Sequence, residues 1–135
     1  MLNRVIRFEV PTSDEERAAR FFANVFGWQR KDRREGSGEI PLLETGPDKE
    51  MGINGSLYLK SRVPAENARF INMIEVDNID SYIAKLKSHG AAILFGKATL
   101  SGGGYLAYFR DPDGNVMGIM QYDRATEQRG GASNA

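Results

Sequence analysis

Ile6-Arg7-Phe8-Glu9-Val10 alternates apolar and polar side chains. The alternation predicts a strand over residues 4–10, with Ile6, Phe8 and Val10 on one face and Val5, Arg7 and Glu9 on the other. Ser13-x-x-Glu16 reads as a capping box. Ala18, Phe21, Phe22, Val25 and Phe26 then recur at the spacing of a core-facing helix. Gly27 is its expected stop, and Trp28 is expected to open the next strand. Trp28 reads first as core packing and second as the rim of a pocket. Charged residues from Arg30 to Glu39, ending in Gly36-Ser37-Gly38, predict an exposed loop. Strands are expected at Ile40–Thr45 and Ile53–Leu59, separated by the turn Gly46-Pro47-Asp48.

The pattern then restarts. In Ile71-Asn72-Met73-Ile74-Glu75-Val76, one face would carry Ile71, Met73 and Glu75 and the other Asn72, Ile74 and Val76. Asp77 or Asn78 caps a helix bearing Ile79, Tyr82, Ile83 and Leu86, which Gly90 ends. Strands follow from Ala92, from Tyr105 to Phe109 and from Val116 to Tyr122, with turns at 101–104 and at Asp111-Pro112-Asp113-Gly114-Asn115. A repeat of this length implies two βαβββ modules, about 4–59 and 70–122. The expected fold is α+β, a curved mixed sheet around a cup. It would form one domain over residues 1–123, with a flexible tail at 124–135.

Composition narrows the function classes. The chain has 135 residues with 18 basic and 18 acidic side chains, so no excess charge recommends nucleic acid or an anionic membrane as partner. No apolar run reaches the length of a membrane span, and no signal-like apolar segment opens the sequence, so a cytoplasmic location is expected. There is no cysteine, which excludes thiol and disulfide chemistry. The single histidine, His89, falls in the last turn of the second helix, where the exposed carbonyls favour a cation. That position reads as surface rather than catalytic. The glycines at 102–104 precede a strand instead of opening a helix, so they do not form a phosphate fingerprint.

Glu9 and Glu75 occupy the same place in the two repeats. Two carboxylates brought together could perform acid–base chemistry, their repulsion raising one pKa. Arg7, two residues from Glu9 on the same face, would neutralise such a pair or clamp a substrate carboxylate. A purely structural Arg–Glu network is the competing reading.

The opening Phe8-Glu9-Val10-Pro11 with Ala18, Phe21, Phe22, Val25, Phe26, Gly27 and Trp28 resembles the glyoxalase/bleomycin resistance/extradiol dioxygenase (vicinal oxygen chelate) superfamily. So does Tyr105 to Asn115. Gly52-Ile53-Asn54-Gly55 is similar to a small bacterial subgroup of glyoxalase-related proteins. The resemblance covers roughly residues 4–122. It implies paired βαβββ modules around a metal or ligand site, and homodimers are plausible partners in assembly.

The resemblance also implies metal ligands near Val5, Ser56, Ile71 and Gly118, none of which is an imidazole or a carboxylate. A shift of register would bring in Arg7 or Met73, neither a ligand. No cofactor is therefore expected. A divergent site built on Glu9 and Glu75 would suit Mg²⁺ or Mn²⁺. Tyr108 stands where extradiol enzymes of the family carry an active-site tyrosine. Several relatives bind drugs without chemistry, and a metal-free small-molecule binder is the function expected here. Arg7, Glu9, Ser56, Tyr58, Met73, Glu75, Leu106, Tyr108 and Met120 would line the cup, with Asn54 at its edge. Glu9, Glu75 and Tyr108 are the catalytic candidates of the alternative, a divergent lyase, isomerase or dioxygenase-like enzyme.

Overall fold

The computed structural model describes residues 2–31, 42–100 and 103–122. The expectations for Arg30–Glu39 beyond Lys31, for Ile40, for Ser101 and Gly102, and for the tail from Arg124 lie outside the described residues. Within them the order is β1 (Val5–Thr12), α1 (Glu15–Phe26), β2 (Gln29–Lys31), β3 (Leu42–Glu44), β4 (Asn54–Leu59), β5 (Ile71–Glu75), α2 (Ile79–Ser88), β6 (Ala92–Thr99), β7 (Gly104–Arg110) and β8 (Val116–Tyr122). This is the expected α+β arrangement, βαβββ twice. Single 3₁₀ turns at Lys60–Arg62 and Ala65–Asn67 fill the stretch before β5. The chain divides into two compact units, Ile6–Asn72 and Met1–Val5 with Met73–Ala135.

In the first unit the strand order is β2-β3-β4-β1. β1 runs parallel to β4, and the other pairs are antiparallel. Phe8 lies opposite Gly55, and a Cβ added at Gly55 would stand only 2.6 Å from the Phe8 ring. The missing side chain therefore makes room for the ring. Trp28 continues the stack, 5.8 Å from Phe8 and 4.9 Å from Phe22 of α1. The helix thus covers the Phe8 side of the sheet, and Trp28 serves as packing, just ahead of β2 rather than within it.

Two expectations for α1 are corrected. Its cap is Asp14, not Ser13: the Asp14 carboxylate accepts the Arg17 N–H at 3.1 Å, while Ser13 Oγ accepts from the Arg17 guanidinium. A carboxylate at this position also complements the positive end of the helix. The apolar stripe, moreover, does not face the core. Phe21, Val25 and Phe26 are 56%, 55% and 61% exposed. The partly buried positions are Glu15, Ala18, Ala19 and Phe22, a stripe rotated from the expected one. Gly27 ends the helix with a left-handed backbone (φ 73°), and Trp28 beyond it stacks on Phe22.

The second unit repeats the topology as β5-β8-β7-β6, with β5 parallel to β8. Asn78 caps α2 by accepting the Ser81 N–H at 3.0 Å, and the Ile79 N–H is taken by Gln121 Oε1 at 2.8 Å. Ile79 is buried with Val76, Ala107, Phe109 and Ile119, and Tyr82, Ile83 and Leu86 pack against them. Here the helical stripe faces the sheet as expected. Gly90 follows the helix at φ 93°. The β7–β8 turn is tied by Asp111, whose Oδ1 accepts from the Asp113 and Asn115 N–H groups at 2.9 and 2.8 Å. Asn115 Nδ2 donates to Oδ2 at 2.9 Å.

Candidate functional site

Strand side chains alternate between faces, so the helix side of each unit fixes what lies opposite. In the first unit Phe8 and Gly55 face α1. Arg7, Glu9, Asn54, Ser56 and Tyr58 therefore share the helix-distal face, with Arg7 opposite Asn54 and Glu9 opposite Ser56. In the second unit Ala107, Phe109 and Ile119 face α2. Met73, Glu75, Leu106, Tyr108 and Met120 share the other face: Met73 and Tyr108 lie opposite Gly118, and Glu75 and Leu106 lie opposite Met120. Each unit thus gathers five of the sequence candidates on one face.

The two faces differ in chemistry. Glu9 is 7% exposed and Ser56 2%, a carboxylate and a hydroxyl withdrawn from water. Tyr58 Oη donates to the Arg69 carbonyl at 2.6 Å and accepts the Arg69 N–H at 3.0 Å. Burial pushes the Tyr58 phenol above its ordinary value; the bond from Arg69 works against this, and the Glu9 charge adds to it. Asn54 Oδ1 accepts the Thr45 N–H at 2.9 Å, so its amide holds the β3–β4 connection. Glu9, Glu75 and Tyr108 each have an interaction partner. The Nε and Nη2 atoms of Arg7 are buried and make no hydrogen bond to a described residue.

On the second face Met73 is fully buried and Met120 is 1% exposed. Met73 packs where a Gly118 side chain would stand: an added Cβ would collide with Met73 Sδ and lie 2.6 Å from Cε. Tyr108 Cδ1 would be 3.2 Å away, and the Tyr108 ring rests 6.3 Å from Phe95. Of the four positions where the family resemblance implies metal ligands, Val5 and Ile71 are aliphatic, Ser56 is a buried hydroxyl and Gly118 is backed by a thioether. That donor set does not fit a divalent metal, which takes imidazole, carboxylate or thiolate. Among the described residues no three His, Cys, Asp or Glu side chains gather as a metal-binding group.

His89 is exposed at the end of α2, with Nδ1 2.9 Å from the Lys85 carbonyl oxygen and 3.1 Å from Ser88 Oγ. It serves its own helix terminus, as its sequence position suggested. A depression of about 410 Å³ in the second unit is lined by Val76, Asp77, Tyr105, Gln121 and Tyr122, among others. None of these residues was a candidate from sequence. They come from separate strands and a loop, and no local spacing marks them. Among the described residues no helix is long and apolar enough to cross a membrane.

Comparison with known proteins agrees with this architecture. A curated glyoxylase-like domain-containing protein of Didymella fabae is 29% identical over 118 residues, covering 82% of this chain and 88% of that protein. A solved methylmalonyl-CoA epimerase from Mycobacterium tuberculosis is 12% identical with TM-score 0.64, covering 90% of this chain and 89% of its own. A Streptomyces coelicolor methylmalonyl-CoA epimerase in complex with 2-nitronate-propionyl-CoA is 15% identical with TM-score 0.63, covering 91% and 96%. A structure described as an NAD-dependent benzaldehyde dehydrogenase from Legionella pneumophila is 12% identical with TM-score 0.62, covering 87% and 98%. At these identities the solved structures speak to the fold alone. The model of the Glyoxalase/Bleomycin resistance protein/Dioxygenase superfamily matches residues 4–119, and the chain belongs to that superfamily.

Proposed function

We propose that this protein binds a small organic molecule on its helix-distal sheet surface without the metal of its superfamily. The observation that carries the reading is the chemistry of the first unit's face. Arg7, Glu9 and Ser56 withdraw charged and hydroxyl groups from water where a merely structural face would place aliphatic ones. Polar groups held in this way are costly to folding and are commonly retained for binding. The metal-free part of the reading is supported by Gly118, whose side-chain space is taken by Met73. On the corresponding face of the second unit Leu106 and Tyr108 are the half-buried candidates.

We further propose a cytoplasmic homodimer, for which the exposed Phe21, Val25 and Phe26 of α1 offer apolar surface. Native mass spectrometry of the untagged protein tests the binding reading. An organic adduct without metal is expected. One divalent metal ion per chain would sink it.

A second reading is favoured by the burial of Glu9. A carboxylate only 7% exposed is suited to proton transfer, and Glu75 occupies the equivalent strand of the other unit. A divergent lyase, isomerase or dioxygenase-like enzyme using Glu9 and Glu75, as acid and base or with a divalent metal, would lose turnover in Glu9→Gln and in Glu75→Gln. Unchanged turnover in both variants would remove them from any mechanism.

A further inference from the structure

Arg7 carries a feature that neither the fold nor the packing uses. Its Nε and Nη2 atoms are both buried and both without a hydrogen-bond partner among the described residues. These two nitrogens are not an arbitrary pair. They form one edge of the planar guanidinium, and their N–H bonds point side by side, as required for a two-point hydrogen bond to a planar oxyanion. A guanidinium stays charged at any physiological pH, so it cannot relieve the mismatch by losing a proton. A buried donor left unmade costs more than the bond itself contributes, which makes two on one edge an unusual arrangement to retain.

The surroundings narrow the ligand. Arg7 lies opposite Asn54, whose amide oxygen is already engaged by Thr45. Glu9 projects from the same face two residues on, at a distance of roughly 6.6 Å along the strand. Its charge is felt on this face, since it raises the Tyr58 pKa. The Glu9 charge nearby repels a doubly charged guest more than a singly charged one. Arg7 as a whole is only partly buried, while its Nε and Nη2 atoms are withdrawn from the surface. A guest reaches the fork when the neighbouring side chains yield, and the arginine stem is itself flexible.

We propose that the Arg7 fork, through Nε–H and Nη2–H, is the anchor for a carboxylate on a small organic ligand. The inference rests on the binding reading above and names the chemical class of its ligand. The test uses the full-length protein with ¹⁵N-labelled arginine, titrated with acetate, succinate and benzoate, and with benzamide and inorganic phosphate for comparison. The Arg7 Nε–H resonance, assigned by its disappearance in Arg7→Lys, should move with at least one carboxylate. Benzamide and phosphate should bind at least about tenfold more weakly, and Arg7→Lys should weaken carboxylate binding by about tenfold or more, because an ammonium keeps the charge but lacks the fork.

If Arg7→Lys fails to fold, the wild-type resonance still decides, its assignment then coming from through-bond correlation to the Arg7 backbone. A resonance that no carboxylate moves overturns the proposal, as does one that phosphate moves more strongly. Benzamide bound as tightly as benzoate would also overturn it, yet would leave the binding reading standing. A metal ion found per chain by native mass spectrometry would instead remove that reading, whatever Arg7 does.

Discussion

Each unit contains a glycine opposite a bulky side chain on the neighbouring parallel strand, but the two glycines serve opposite faces. In the first unit Gly55 receives the Phe8 ring on the side covered by α1. In the second, Gly118 receives Met73 on the side away from α2. The same topology is therefore closed in two ways. The second unit fills its helix-distal face with buried thioethers and holds a contiguous apolar cluster on the other. The first unit leaves its helix-distal face polar, with the buried Glu9 and Ser56 on it. The two copies of one topology thus differ in what they bury away from their helices, thioethers in one and polar groups in the other.

The largest effect expected from this contrast is at Met73. Its side chain is fully buried, so Met73→Ala should cost about 2–5 kcal/mol in chemical denaturation, as large core truncations do. A loss below about 1 kcal/mol would mean that the second face is not a packed one and that the contrast is false.

The glycines come next. Gly55→Ala forces a Cβ against a rigid aromatic ring and should cost about 1–3 kcal/mol. Gly118→Ala forces it against the end of a flexible thioether and should cost towards the lower end of that range. Combining Gly118→Ala with Met73→Ala should cost less than the sum of the two, because the truncation removes the atoms that collide. Additive losses would show that Met73 does not occupy the Gly118 space in solution.

The helix caps sharpen the comparison further. Asp14→Ala and Asn78→Ala each remove an acceptor for a first-turn N–H, and each should cost about 1 kcal/mol. The local consequence should differ. α1 buries none of its residues, while α2 anchors through Ile79 and the apolar cluster. Amide exchange in the first turn should therefore accelerate more in Asp14→Ala than in Asn78→Ala. Equal acceleration would place the two helices on the same footing.

Much of this architecture was legible in the sequence, for identifiable reasons. The strands around Phe8 and Met73 alternate cleanly, and period-two alternation sets the side-chain face regardless of what covers it. That is why the candidates of β1 and β4 share one face, as do those of β5, β7 and β8. The inward face of α1 departs from its apolar spacing, since Phe21, Val25 and Phe26 are exposed. Periodicity shows which residues share a stripe, not how wide the surface beneath it is. The cap lies one residue beyond the expected Ser13 because Ser13 and Asp14 both carry acceptors, and only backbone geometry distinguishes them. The unpartnered fork of Arg7 was beyond reach. Sequence places an arginine on a face, but whether its donors find acceptors depends on three-dimensional neighbours.

The smallest effect separates the two units by pH. Both brace the turn leading into their last strand with a side-chain oxygen. In the first unit it is the Asn54 amide, which accepts from Thr45 and cannot titrate. In the second it is the Asp111 carboxylate, held below its ordinary value of 3.8 first by the Asn115 side chain and then by backbone N–H groups of the turn, with burial acting in the opposite direction. Because the folded value lies below the unfolded one, the bracing is present in full above the ordinary value. It is lost as pH falls through the lowered one. Acidification should thus loosen the 111–115 turn while leaving the Thr45–Asn54 bracket intact. Amide exchange compared at about pH 6 and about pH 2.5, corrected for the intrinsic rates, should show protection falling at Asp113 and Asn115 but not at Thr45. In Asp111→Asn the change at Asp113 and Asn115 should be smaller, since the substituted amide keeps its acceptor and has no proton to gain. Equal loss at both turns would point to global acid unfolding instead, and the difference between the units would then lie in their packed faces alone.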